Sequence, residues 1–264
     1  MALSKSEKVK KVNLDFNKEF INTFTQNIEN RNVEFINQTL KDLHEADVAN
    51  LIENLDPNTR NKLIEIESFN IDPEIFIELN ESIQSEVLQL LSIDSLIKLI
   101  KRLESDNAIK ILENLSKEVK EKVLEKLPPK DKFLLQEGLS YPEDSAARIM
   151  QREFTAVASN WTVGQTIDYL RENKDLPEEF LEIFIVDSEF KPIGTVPSSK
   201  VLRTPRDSKM ISIMNESQLL IPVDMDREEV GHLFENYNLN SACVVDKSNK
   251  LVGMITSDDV LTVL

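Results

Sequence analysis

The chain has 264 residues, with 31 Lys and Arg against 47 Asp and Glu, a net charge of −16 and a pI near 4.7. That length predicts one large or two modest domains, and 41% hydrophobic with 30% charged residues is the balance of a folded protein. The acidity argues against a nucleic-acid binder, which needs clustered Lys and Arg, and makes divalent cations or basic partners the natural ligands.

Met1 to Val12 is lysine-rich without an apolar centre, so no signal peptide is expected, and 1–14 reads as a flexible N-terminus. All five glycines fall at or after Gly138. Hairpins and sharp loops usually need glycine for their positive-φ positions. Its absence before that point predicts short helices joined by Asp, Asn, Ser and Pro turns. Val48, Leu51, Ile52 and Leu55 form the stripe of an amphipathic helix, and Asp56-Pro57 reads as a stop, a fresh N-cap and a first turn. The next helix turns Leu63, Ile64 and Ile66 inward. Leu51-Ile52-Glu53-Asn54-Leu55 returns as Ile75-Phe76-Ile77-Glu78-Leu79 and, after a longer step, as Ile111-Leu112-Glu113-Asn114-Leu115. Unequal steps make this a quasi-repeat of helical hairpins, which gain a core by stacking. Residues 15–137 are therefore expected to be a helical solenoid.

After Pro128-Pro129 and Gly138 the pattern changes. Phe184-Ile185-Val186-Asp187 and Ala242-Cys243-Val244-Val245-Asp246 are short β-branched runs ending in an acidic turn residue. Each leads into a second run, Pro192-Ile193-Gly194-Thr195-Val196 and Leu251-Val252-Gly253-Met254-Ile255. Helical patterns flank them at Val163 to Glu172, Ser199 to Leu202, Glu228 to Asn236 and Ser257 to Leu264. Ile149-Met150 recurs as Ile213-Met214. Val186-Asp187, Gly194 and Val201-Leu202 recur, all at one common and slightly shorter step, as Val245-Asp246, Gly253 and Val260-Leu261. Two copies of one unit are expected, the first longer in the loop around Glu172 to Glu182.

A tandem of this make-up, with Gly253-Met254-Ile255-Thr256-Ser257-Asp258-Asp259 after its last strand, resembles a CBS-domain pair. The first copy departs, carrying Pro197 and Lys200 at the polar positions. The joining segment Ser140-Tyr141-Pro142-Glu143-Asp144-Ser145-Ala146, running into Arg148-Ile149-Met150, resembles the junction of MgtE-type magnesium transporters. Leu43-His44-Glu45-Ala46-Asp47-Val48-Ala49 and Asp226-Arg227-Glu228-Glu229-Val230 are similar to that family's early helix and second CBS copy. Ala147-Arg148 departs from it, standing where small residues or glycine are common. The resemblance implies a helical N-terminal domain (15–137), a junction (138–148) and a CBS pair (149–206 and 207–264). It also implies a place on the cytoplasmic side of the cell membrane, ahead of a transmembrane pore domain that this chain lacks, and a homodimer formed through the CBS domains.

The same resemblance implies a Mg2+ sensor, in which ions bridge acidic residues of the two regions and favour a closed pore. Mg2+ takes hard oxygen ligands and keeps several waters, so one or two carboxylates per surface suffice. By position the ligands would be Glu74, Asp94, Glu228 and Asp259. Each also stands at a helix start, where a carboxylate caps free N–H groups or favours the macrodipole. Asn238 and Thr262 occupy positions where carboxylates are expected. CBS pairs also bind adenine nucleotides such as ATP, and Thr256 and Asp259 would then hold the ribose. An adenine-nucleotide-sensing module with a helical protein-interaction domain is the alternative, and a purely structural adaptor is a third reading.

Cys243 is alone, so no internal disulfide forms, and His44 and His232 lack zinc-site spacing. They read as surface or cap residues, and Trp161 as packing. No nucleophile elbow, phosphate loop or Cys–His arrangement has supporting context, so an enzyme is not expected. No run reaches the roughly 20 apolar residues that span a bilayer.

Overall fold

The computed structural model describes residues 16, 18–66, 71–177, 180–216 and 219–261. The 1–14 segment and Thr262 lie outside the described residues. Helices come first: α1 (Lys18–Glu29), α2 (Val33–Asp42), α3 (Glu45–Asn54), α4 (Pro57–Glu65), α5 (Pro73–Glu78), α6 (Glu81–Leu90), α7 (Ile93–Ile100), α8 (Ser105–Asn114), α9 (Lys117–Lys126) and α10 (Pro129–Ser140). Their starts follow the turn residues. Asp56 accepts from the amides of Asn58 and Thr59, Asn80 from Ile83, and Ser92 from Ser95. His44 caps α3, its Nδ1 accepting from the Ala46 amide.

Two compact units emerge. One holds the residues up to Leu103 together with Asn114–Pro128; the other holds Glu104–Glu113 and Pro129–Leu264. In the first, α1 packs on α2 and α4, α3 on α5, α4 on α6, and α7 on α9. The apolar stripe reads out as predicted, with Val48, Leu51, Ile52, Leu55, Leu63 and Phe76 buried. Arg60 is buried among them. It donates to the carbonyls of Ile52 (3.1 Å) and Leu55 (2.8 Å) and pairs with Glu86. It thus supplies donors at the end of α3, to the Leu55 carbonyl and, beside the Leu55 amide, to that of Ile52.

In the second unit α8 and α10 accompany the strand-bearing half. A 3₁₀ turn (Ala146–Arg148) leads into β1 (Ala156–Ala158), α11 (Val163–Glu172), β2 (Glu182–Val186), β3 (Pro192–Pro197), α12 (Ser198–Arg203), α13 (Met210–Ile213) and β4 (Asn215–Glu216). The second copy runs β5 (Leu220–Pro222), α14 (Arg227–Tyr237), β6 (Ser241–Val245), β7 (Leu251–Thr256) and α15 (Ser257–Leu261). One sheet has the order β1-β2-β3-β4 and the other β5-β6-β7. In both copies the first strand pairs parallel with the second and the second antiparallel with the third.

The copies are interlocked. β4, within 207–264, pairs with β3 of the first copy through Gly194 and Glu216, while Gln151, within 149–206, bridges Met254 of β7 in the second. This explains the glycines at equivalent positions of the two copies. A Cβ on Gly194 would run into the Asn215 carbonyl oxygen, and one on Gly253 would lie 2.8 Å from that of Gln151. Phe184 and Cys243, equivalent positions in the two copies, meet in one buried cluster with Val186 and Leu251.

The junction is packed rather than open. Gly138 lies inside α10, and Ala146 and Ala147 are fully buried in the core of the second copy. The Ala146 and Ala147 amides donate to the carbonyls of Met225 (2.7 Å) and Val223 (3.1 Å). Between α10 and the buried Ser145, Pro142, Glu143 and Asp144 form an exposed turn.

Candidate functional site

Of the four expected ligands, Asp259 is the buried one. It opens α15 and is only 8% exposed. Its Oδ2 accepts from the Thr256 amide (2.7 Å) and the Thr256 hydroxyl (2.8 Å), and its Oδ1 accepts from Gln151 Nε2 (2.9 Å). The Thr-x-x-Asp spacing thus forms one side of a capping box, the third helical residue reaching back to the cap amide. Burial, and next the neighbouring Asp258, push its pKa up to about 6 against those three favourable bonds.

Opposing it is the start of α8. Burial of its carboxyl raises Glu104 to about 7, followed by the charges of Asp259, Glu153 and Asp258. Asp106 is raised well above the ordinary carboxylate range, first by burial and then by Asp259, with Glu104 and Glu153 adding. Its Oδ1 is buried without a hydrogen-bond partner. Glu153 caps α8, accepting from the Ser105 amide (3.1 Å) and hydroxyl (2.9 Å), while the Arg152 amide donates to the Ser105 Oγ (2.9 Å). A pole of carboxylates therefore forms from residues far apart in sequence. Its donors are all hard oxygens, the type that suits Mg2+ or Ca2+. No three Asp, Glu, His or Cys stand close enough, among the described residues, to enclose a bare ion.

The other expected ligands lie elsewhere. Glu74 is exposed in the first turn of α5, and Asp94 in the first turn of α7. Asp94 pairs with Lys126 of α9 at 2.9 Å, and that bond holds its pKa low. Both belong to the first compact unit, and Glu228, exposed at the start of α14, belongs to the second. Asn238 has a structural reason to be Asn. It ends α14 in the left-handed region at φ 50°, its amide bonding back to Glu235 and Phe234, a conformation Asn tolerates better than most residues.

Sequence reasoning missed Glu104, Asp106 and Glu153. The signal available was the acidic run Glu104-Ser105-Asp106 at a helix start, no different in kind from Asp72-Pro73-Glu74. Of the two ribose candidates, Thr256 and Asp259 are bonded to each other, and Pro197 and Lys200 stand at the equivalent places of the first copy. Among the described residues no helix is long and apolar enough to cross a membrane.

Comparison with known proteins agrees with this architecture. Residues 43–144 match the family described as MgtE intracellular N domain, and residues 210–264 match the CBS domain. Magnesium transporter MgtE of Thermus thermophilus is 32% identical over 124 residues, 47% of this chain and 28% of that protein. Magnesium transporter MgtE of Enterococcus faecalis is 27% identical over 130 residues, 49% of this chain and 29% of that protein. The match thus spans under a third of these relatives' length. Among solved structures, the cytosolic domain of the Mg2+ channel MgtE in complex with ATP superposes with a TM-score of 0.82 at 24% identity, covering 92% of this chain and 100% of that one. The soluble part of a magnesium transporter gives 0.79 at 23% identity, covering 93% and 97%. At these identities the superpositions establish the fold.

Proposed function

Because the chain carries an MgtE intracellular N domain followed by a CBS pair, the build of the MgtE cytosolic region, we propose that it senses Mg2+ for a magnesium transporter or channel. The observation that carries this is the carboxylate pole: Glu104 and Asp106 at the start of α8 against Asp259 and Asp258 at the start of α15. Like charges held together in partial burial cost free energy, and the raised pKa values are the mark of that cost. A hydrated Mg2+ lowers it by charge and by water-mediated bonds, so it favours the packed arrangement over a separated one. Within the second unit α8 and the second CBS copy each contribute carboxylates, so ion occupancy couples these two elements, and through them a closed pore in the full-length protein. Glu74, Asp94 and Glu228 offer further exposed carboxylates for hydrated ions, Asp94 only after giving up Lys126.

Calorimetric titration with MgCl2 tests this, against KCl at equal ionic strength and against Asp106→Asn and Asp259→Asn. Saturable Mg2+ binding that both substitutions weaken is the expected result. An equal response to KCl, or unaltered binding in both variants, overturns it.

We propose further that the chain dimerises through its CBS helices. Leu202 on α12 and Leu261 on α15 occupy equivalent positions of the two copies and are 77% and 75% exposed. Two exposed leucines at equivalent positions of the copies suit contact with a second copy of the chain. Light scattering should show a dimer that Leu202→Glu and Leu261→Glu convert to monomer; a monomer in the wild type at micromolar concentration removes the idea.

Adenine-nucleotide sensing is the second reading, favoured by the solved relative bound to ATP. In this chain a ribose would have to displace the Thr256 and Gln151 bonds from Asp259. Titration with ATP in the same calorimeter separates the readings.

A further inference from the structure

The two ends of α8 meet opposite kinds of partner. At its start Glu104 and Asp106 face Asp259 and Glu153, with the Ser105–Glu153 bonds opposing the repulsion. At its far end Glu113 forms an ion pair with Arg148, whose side chain is only 10% exposed. Ten residues at about 1.5 Å each separate these ends by roughly 15 Å.

Arg148 does more than pair. Its Nε donates to the Tyr141 carbonyl (2.8 Å) and its Nη2 to the Leu139 carbonyl (3.0 Å). These carbonyls lie where α10 ends at Ser140, so one guanidinium supplies donors that the helix terminus lacks and a positive charge where the helix dipole favours one. Arg152 repeats the theme nearby, its Nη1 donating to Glu137 of α10 at 2.9 Å. Between the ends, Ile109 lies so close to Gly138 that a Cβ there would collide with its Cδ1. The last turn of α8 is thus tied through Glu113 to a fork of donors fixed in the buried junction.

We propose that Arg148 latches the C-terminal end of α8 to the junction whether or not Mg2+ is bound, so that ion release frees only the first turns of the helix. The second clause rests on the Mg2+ reading above; the first stands on the Arg148 contacts alone. The helix is then a lever pivoting at Glu113. Any signal sent through it is a local fraying at the carboxylate pole, while α10 stays seated.

Hydrogen exchange read by mass spectrometry on the full chain tests this, in MgCl2 and in EDTA at matched ionic strength. In the wild type, EDTA should accelerate exchange around residues 105–109 about tenfold or more while 111–114 change by less than about twofold, the contrast expected between a like-charge site and a half-buried Arg–Glu pair. Arg148→Gln and Glu113→Gln should each free 111–114 as well. Glu113→Gln acts from the more exposed partner, so its result stands even where Arg148→Gln folds poorly. Both halves opening together in the wild type, or neither variant altering 111–114, overturns the latch. If EDTA changes nothing at 105–109 while both variants still free 111–114, the latch stands and the Mg2+ reading fails.

Discussion

Replacing Asp259 with Asn removes one charge at nearly constant shape, and the structure fixes the sign of the result. The carboxyl's pKa rises from the ordinary 3.8 to about 6 because burial disfavours the ion. A raised folded-state pKa contributes stability that is complete below the unfolded value and is lost as pH climbs through about 6. About two pKa units correspond to roughly 3 kcal/mol lost between pH 4 and pH 8 in the absence of a cation. Asn cannot ionise and keeps one oxygen to accept from the Thr256 amide, so Asp259→Asn should lack this part of the pH dependence. At pH 8 in EDTA the variant should be the more stable protein by up to about 3 kcal/mol, or roughly 6–12 °C in the melting of the strand-bearing unit. Near pH 4 the two should converge. Mg2+ should narrow the gap at pH 8 by stabilising the wild type alone. Thermal melts followed by circular dichroism across pH, with and without MgCl2, provide the measurement. A variant less stable than wild type by the same margin at pH 4 and pH 8 would refute the argument. Asp259 would then matter as a capping acceptor and not as a buried charge.

Arg60→Met should destabilise the first helical unit by about 2–4 kcal/mol, because the Leu55 carbonyl loses the Arg60 donor, the Ile52 carbonyl keeps only the Leu55 amide, and Glu86 loses its partner. Urea unfolding followed at the helix signal checks this, with Mg2+ binding expected to stay unchanged. Gly253→Ala should cost about 1–3 kcal/mol, since the added Cβ meets the Gln151 carbonyl oxygen, which backbone pairing prevents from moving aside; equal stability in denaturant would show that the interlock of the copies is looser than described. Glu74→Ala and Asp94→Ala should blunt the calorimetric Mg2+ response less than Asp106→Asn or Asp259→Asn. The reverse order would move the main ion site to the first unit.

Local physics was legible in the sequence. Helix starts at Asp56, Asn80 and Ser92 follow from side chains that cap their own neighbours. The apolar stripe from Val48 to Leu55 follows from a period any helix must obey. The duplicated strand-turn-strand unit showed in its repeat steps, and the motif from Gly253 to Asp259 carried the resemblance to a CBS pair. Contacts between distant segments leave no such periodic trace. Nothing local distinguishes Asp106 from Glu74; only the packing of α8 beside the second CBS copy sets Glu104 and Asp106 against Asp259 and leaves an Asp106 oxygen buried without a donor. Arg148, at sequence level a departure from small residues, becomes intelligible only once its guanidinium is seen at the end of α10 with Glu113 of α8 beside it. Nothing in the junction's own residues foretold that tertiary packing would bury Ala146 and Ala147 and pair their amides with the second copy. The backbone's local preferences chose the elements, whereas the electrostatics of the site come from desolvation and like-charge proximity. Both exist only after residues far apart in the chain have been brought into contact.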